Sequence, residues 1–445
     1  MSESATHPLS IQQEALWFLG LLGRGGSAYV ESIVRRIHGR LDVDALCSAL
    51  RAVVARHDAL RARFASARGR VVQIIVDLDL PCEVIELSAP EPRLLDDRLP
   101  ALIDRLSGAE LDLRSGALVR ATVIRLADDD HILHLLFHHI VADEWSLTII
   151  GSELAELYDA EREGRPPRLA PPGMQYPSYA SWQRAWVADG GLVSQLEHWC
   201  RQLTLAPPDL DLAWDHPRQP GRVHRVASVA RRLDGWEPGD LGRLAATQRA
   251  TPYLVLLASL VLLLHWWSGQ PRISVGVPFA NRRRPEVQET VGLFVNVLPI
   301  VADPGSATTF GVLLSNLRTK LFAALPNQEV PLALLVRELR VPVERSRNPL
   351  FQVALAVDHP PDPFRLPGLR LERVDAHGGA AKFDLMLLAS TRAHPPEVTL
   401  EYNADLLDQS TAERLLSDLV VLLHAVRAEP DAELERLRQS VGARA

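Results

Sequence analysis

Residues 164–179, GRPPRLAPPGMQYPSY, are dense in proline and glycine, residues that weaken or break the interior of a helix or a strand. The stretch reads as a linker between two segments, each mixing helical and strand-like patterns. A chain of 445 residues is also longer than one hydrophobic core normally serves. The expectation is an α/β protein of two domains, divided as 1–170 and 171–445.

Before the linker, Leu46, Leu50, Val53, Val54 and Leu60 recur at helical spacing, and RVVQIIV (70–76) is β-branched and strand-like. GALVRATVIRL (116–126) and HILHLLFHHIV (131–141) flank the acidic turn ADDD as a hairpin, and a helical stripe follows from Ser146. Beyond the linker, Thr251 and Pro252 occupy capping and first-turn positions of an apolar helix. RISVGVPFA, LFQVALAV, KFDLMLLAS and EVTLEYN read as strands, and 309–324 and 410–427 as helices. The apolar run Tyr253–Trp267 is shorter than the roughly 18–20 residues of a membrane span and reads as a core helix.

A net charge of −7 gives no reason to expect a nucleic-acid partner. Cys47, Cys82 and Cys200 are far apart and match neither a metal spacing nor a disulfide framework, which fits a reducing cytoplasm. The opening MSESATHPLS lacks the basic and apolar regions of a signal peptide.

The chemistry concentrates in HHIVADEWS (138–146). Side chains alternate along a strand, so His139 shares a face with Leu133, Leu135 and Phe137, while His138 joins His134 and Leu136. Adjacent strand residues diverge, which argues against a metal site and assigns the two histidines different tasks. One faces a reaction space as a proton acceptor, and the other packs structurally. Asp143, at the turn into the next helix, suits backbone donors or an arginine. On this stretch alone a catalytic histidine and a satisfied core histidine both stay open.

The rest of the chain adds a resemblance. HHIVADE resembles the HHxxxDG motif of condensation domains of nonribosomal peptide synthetases. In family order come LSIQQEALWFL (9–19), RHDALRARF (56–64), YPSYASWQ (176–183), VGLFVNVLPI (291–300), NQEVPLALL (327–335), RSRNPLFQV (345–353), AKFDLML (381–387) and LEYNADLLD (400–408). Two departures stand out: Asn327 replaces a histidine, and Glu144 replaces the motif glycine.

The resemblance implies two chloramphenicol-acetyltransferase-like halves in a V-shaped pseudodimer with the active site where they meet. Donor and acceptor carrier proteins dock on opposite sides, and their phosphopantetheine arms bring the substrates, with no resident cofactor and no metal. The acceptor amine attacks the donor thioester to form an amide. Other synthetase domains, adenylation among them, are further expected partners, and the terminal ELERLRQSVGARA suits excision from such a chain. The implied location is cytoplasmic, without membrane or nucleic acid.

Carried over residue by residue, His139 is the general base or orienting group, His138 its structural neighbour, and Asp143 the anchor paired with Arg282. Arg283 and Arg284 compete with Arg282 for that pairing, or form a charged face. Trp145, Ser146, Asn296 and Asn348 are assigned to the substrate tunnel, with structural hydrogen bonding the alternative for the asparagines. Arg61 joins Arg282 as structural support, and Trp17, Trp182 and NPLF are packing elements. Glu144 either adds a second acid or base, suited to dehydrating a seryl or threonyl residue, or turns outward to favour the helix N-terminus.

Rival readings are a coenzyme A-dependent acyltransferase of the same superfamily and a non-catalytic docking platform. The plant-type DFGWG segment is absent, and the histidine motif that a degenerate platform loses is retained. Two histidines in place of aspartates also oppose heterocyclisation, and RSRNPLFQV favours condensation over epimerisation.

Overall fold

A computed structural model describes residues 6–21, 27–67, 69–87, 92–204, 209–219, 225–344, 347–357, 364–374, 381–391 and 393–442. The first five residues, Arg345 and Ser346 of RSRNPLFQV, and the last three of the C-terminal segment lie outside the described residues. The chain forms two compact α/β units.

Unit 1 comprises Met1–Gly191, Ala280–Val295 and Pro360–Ala380. The division between the compact units falls at residue 191, where 170 was expected. Helix Tyr176–Ala188, which follows the proline-rich stretch, belongs to this unit: Gln183 accepts from the Ile11 N–H at 2.9 Å, and Arg184 donates to the Leu9 carbonyl at 2.8 Å. Two later segments also return to unit 1, so its contents are not contiguous in sequence.

Its five-stranded sheet runs in the order Arg370–Arg373, Val30–His38, Asp130–His138, Val119–Ala127, Cys82–Glu86. The expected hairpin is its centre, with Val119 opposite Phe137. Leu133, Leu135 and Phe137 enter the main core with Leu46, Leu50 and Val53 of helix Val43–Arg56 and Ile150 and Leu154 of helix Glu144–Glu163. Strands Thr6–Pro8, Arg70–Ile75 and Ala62–Ala67 make a smaller sheet. One cysteine expectation fails: Cys47 and Cys82 are joined as a disulfide, their Cα atoms 5.7 Å apart, and Cys200 is the free thiol. Helix and strand bring together two residues whose separation of 35 in sequence carried no pairing signal.

Unit 2 comprises Leu192–Phe279, Asn296–His359 and Ala381–Ala445. Its six-stranded sheet is ordered Asn296–Ala302, Ile273–Phe279, Val353–Val357, Leu385–Ser390, Glu397–Asn403, Val226–Arg232. Thr251 caps helix Pro252–Ser268, accepting from the Leu254 N–H at 3.3 Å. Leu254 through Leu264 of that helix are all buried, which accounts for its apolarity. No single described helix is long and apolar enough to cross a membrane.

Candidate active site

Strand Asp130–His138 ends at the first histidine, and helix Glu144–Glu163 starts six residues later. The intervening turn closes with the Val141 N–H donating to the His138 carbonyl at 3.0 Å. The two histidines part company here. His138 is buried, and its Nδ1 accepts from the Ile140 N–H at 3.0 Å. Burial, reinforced by the adjacent His139, pushes its pKa down to about 3, so this imidazole stays neutral. His134 lies on the same strand face, with Nε2 3.1 Å from Ser32 Oγ and 3.2 Å from Ser107 Oγ, and burial lowers it to about 4.

His139 continues the ladder by one residue, its N–H donating to the Tyr29 carbonyl at 2.8 Å. Its side chain is 15% exposed. Nδ1 lies 3.2 Å from the Ala142 carbonyl oxygen. A carbonyl only accepts, so Nδ1 carries the hydrogen, and Nε2 is the ring nitrogen turned away from this turn. That nitrogen lies 2.5 Å from Oε1 of Glu31. Glu31 stands on strand Val30–His38, opposite Phe137 in the antiparallel register. It is therefore a diagonal neighbour of His139 on one sheet face.

Asp143 caps the helix and is buried. Oδ1 accepts from the Ser146 N–H at 2.8 Å and from Arg282 Nη2 at 3.0 Å; Oδ2 accepts from the Phe294 and Val295 N–H groups at 2.9 and 3.1 Å. The Arg282 guanidinium also donates to the carbonyls of Val287 and Thr290 at 2.7 and 2.6 Å and lies over the Phe294 ring, 4.1 Å from its centroid. Among the three arginines Arg282 is the partner. Arg283 is exposed, and Arg284 stacks 4.1 Å over Trp182. Gly292 completes the anchor, because a Cβ there would meet Tyr176 Cδ2 at 1.9 Å. The Tyr176 hydroxyl in turn donates to the Leu293 carbonyl at 2.5 Å.

The residues assigned to the tunnel make the following contacts. Ser146 is completely buried, and its hydroxyl accepts from the Gly292 N–H at 3.0 Å and lies 2.6 Å from Asp143 Oδ1, so it belongs to the anchor. Asn296, in unit 2, is also buried and donates to the carbonyls of Gln328 and Val330 at 2.8 and 2.7 Å, the structural alternative. Asn348 donates to the Lys382 carbonyl at 2.6 Å, again structurally. Trp145 is 43% exposed, and its indole N–H donates to the Gln288 carbonyl at 2.9 Å. Arg61 pairs with Asp58 at 2.7 Å and supports its own turn. Trp17 packs in the core against Phe64, as expected of a packing residue.

Glu144 is exposed in the first turn of its helix, where the dipole favours a negative charge. The carboxylate at His139 is Glu31, which the sequence reading missed. Its one available signal was the β-branched pattern of VESIVRRIH, which marks a strand but not its neighbour. Among the described residues no group of three or more His, Cys, Asp or Glu side chains is placed to hold a metal ion.

Comparison with known proteins shows the family and the fold. The condensation domain family model matches residues 3–440. The chain is 33% identical to one of the linear gramicidin synthase proteins of Brevibacillus parabrevis, over 97% of this chain and 6% of that protein. It is 36% identical to phosphinothricin tripeptide synthetase PhsC of Streptomyces viridochromogenes, over 97% of this chain and 40% of that protein. The chain thus spans less than half the length of either relative. Among solved structures, the X-domain from teicoplanin biosynthesis superposes with a TM-score of 0.84 at 28% identity, covering 98% of this chain and 97% of that one. The first condensation domain of the calcium-dependent antibiotic synthetase gives 0.82 at 23% identity, covering 98% and 99%, and supports the fold.

Proposed function

The chain belongs to the condensation domain family, and from that premise we propose that it forms amide bonds between substrates held as thioesters on two carrier proteins. The observation that carries the reading is His139: Nδ1 is bound to the Ala142 carbonyl, and Nε2 is directed away from it toward the half-buried Glu31. The acceptor nitrogen attacks the donor carbonyl carbon, the C–N bond forms and the C–S bond breaks. Nε2 takes a proton from the nitrogen and returns it to the departing thiolate. Asp143 and Arg282 hold the turn that aims the imidazole and touch no reacting atom in this scheme.

The phosphopantetheine arms arrive with the carriers, so the chain's own contribution is positioning and proton transfer. Other synthetase domains would load those carriers. A dehydrating variant would rest on Glu144, whose exposed place at the helix start supports the simpler amide-forming reaction.

The test mixes the full chain with a loaded donor carrier ending in serine and a loaded acceptor carrier, and weighs both by mass spectrometry after one turnover. Transfer by wild type, reduced about 10²–10⁴-fold in His139→Ala with little change in melting temperature, is expected. Equal transfer by the variant would remove His139 from the chemistry. A product lighter by one water would restore the dehydrating reading.

A further inference from the structure

Two protons must leave the nitrogen when an ammonium acceptor becomes an amide, and only one of them is needed by the thiolate. His139 accounts for one. Its Nε2 faces Glu31 Oε1 at 2.5 Å, and Nδ1 already carries the hydrogen given to Ala142. An imidazole nitrogen and a carboxylate oxygen that face one another frame a place for a donor with more than one hydrogen to give.

We propose that Glu31 binds the acceptor's ammonium and takes its second proton, which makes this site selective for amine over hydroxyl acceptors; the inference rests on the amide-forming reading above. The ammonium enters between Oε1 and Nε2. A Glu31 side chain that is 33% exposed, on three rotatable bonds, has room to swing aside for it. One ammonium proton passes to Nε2, and the amine attacks the thioester carbonyl carbon. The tetrahedral intermediate's nitrogen then gives a second proton to the Glu31 carboxylate. Collapse breaks the C–S bond, and the thiolate takes the proton from Nε2. The balance is one ammonium and one thioester in, and one amide, one thiol and one proton out, the last released to water from the partly exposed Glu31. A hydroxyl acceptor has one proton to give, satisfies one of the two acceptors and leaves the carboxylate without a task.

The register makes this a built arrangement. Glu31 opposes Phe137, and the His139 N–H donates to Tyr29, so both side chains are held on one face by ladder hydrogen bonds. Glu144, the motif's own extra carboxylate, is exposed at the helix start.

The test measures binding without turnover. Stable glycyl and glycolyl amides of the pantetheine analogue in which an amine replaces the thiol, one bearing an ammonium and the other a hydroxyl, are titrated into the full chain labelled with ¹⁵N-histidine, and the His139 ring signals are followed. Wild type should bind the glycyl amide at least about tenfold more tightly, the worth of one charge-assisted hydrogen bond. Glu31→Gln, isosteric but unable to take a proton, should reduce that ratio to near one, and Glu31→Asp should restore part of it. A wild-type ratio near one, or a ratio that survives in Glu31→Gln, would overturn the proposal. Failure of wild type to transfer an acyl group between carriers would overturn the amide-forming reading instead, and the binding ratio would still decide the role of Glu31.

Discussion

Replacing Asp143 by alanine should unfold the protein more readily as well as stop its chemistry. The wild-type carboxylate accepts from Ser146, Arg282, Phe294 and Val295, and both ion-pair side chains are 2% exposed. Truncation leaves the Arg282 charge buried without its partner, a loss of about 3–5 kcal/mol. Water entering a cavity the size of a carboxyl group recovers little of that, because the two backbone N–H groups and the guanidinium approach it from different directions. For a unit of this size each kcal/mol is about 2–4 °C, so the melting temperature should fall by about 6–20 °C. Scanning calorimetry, paired with urea titration followed by tryptophan fluorescence, measures it. Asp143→Ala combined with Arg282→Met removes both charges and should cost less than the two single changes added together, the mark of a coupled pair. A melting temperature within about 2 °C of wild type would refute the anchoring role, and a stable but inactive variant would move Asp143 into the reaction.

Acidification should destabilise the chain before its carboxylates titrate. His134 and His138 are lowered by burial to about 4 and about 3 from an ordinary 6.5, so between those limits the unfolded chain binds more protons than the folded one. Stability is flat above pH 7 and falls as pH drops through 6.5. At pH 5 the two together should cost about 4 kcal/mol, read from urea midpoints, and His134→Gln should halve the slope. Gly292→Ala should cost about 1–3 kcal/mol by driving a methyl group into the buried Tyr176 ring, and an unchanged denaturation midpoint would show that the ring yields freely.

Much of the secondary structure was legible because period is a local property. The hairpin around ADDD, the Thr251-capped helix and the strands at Ile273–Phe279 and Glu397–Asn403 were all read from alternation or helical spacing. Strand Val30–His38 was not read, and the acid it carries was missed with it. The compact units divide at residue 191 and not at 170, because a proline-rich stretch marks a break in local pattern, not which side the next helix packs on.

By itself the sequence determined the element types, the histidine motif and its family resemblance, and the opposite faces taken by His138 and His139, since strand parity sends neighbouring side chains apart. Only the tertiary structure decided that Arg282 and not Arg283 meets Asp143, that Ser146 and Asn296 are buried, that Cys47 meets Cys82, and that Glu31 faces Nε2 of His139. Each of these depends on sheet register or helix packing between segments far apart in the chain. Such contacts are selected by burial and hydrogen-bond satisfaction over a whole unit, and no local window of residues carries that information.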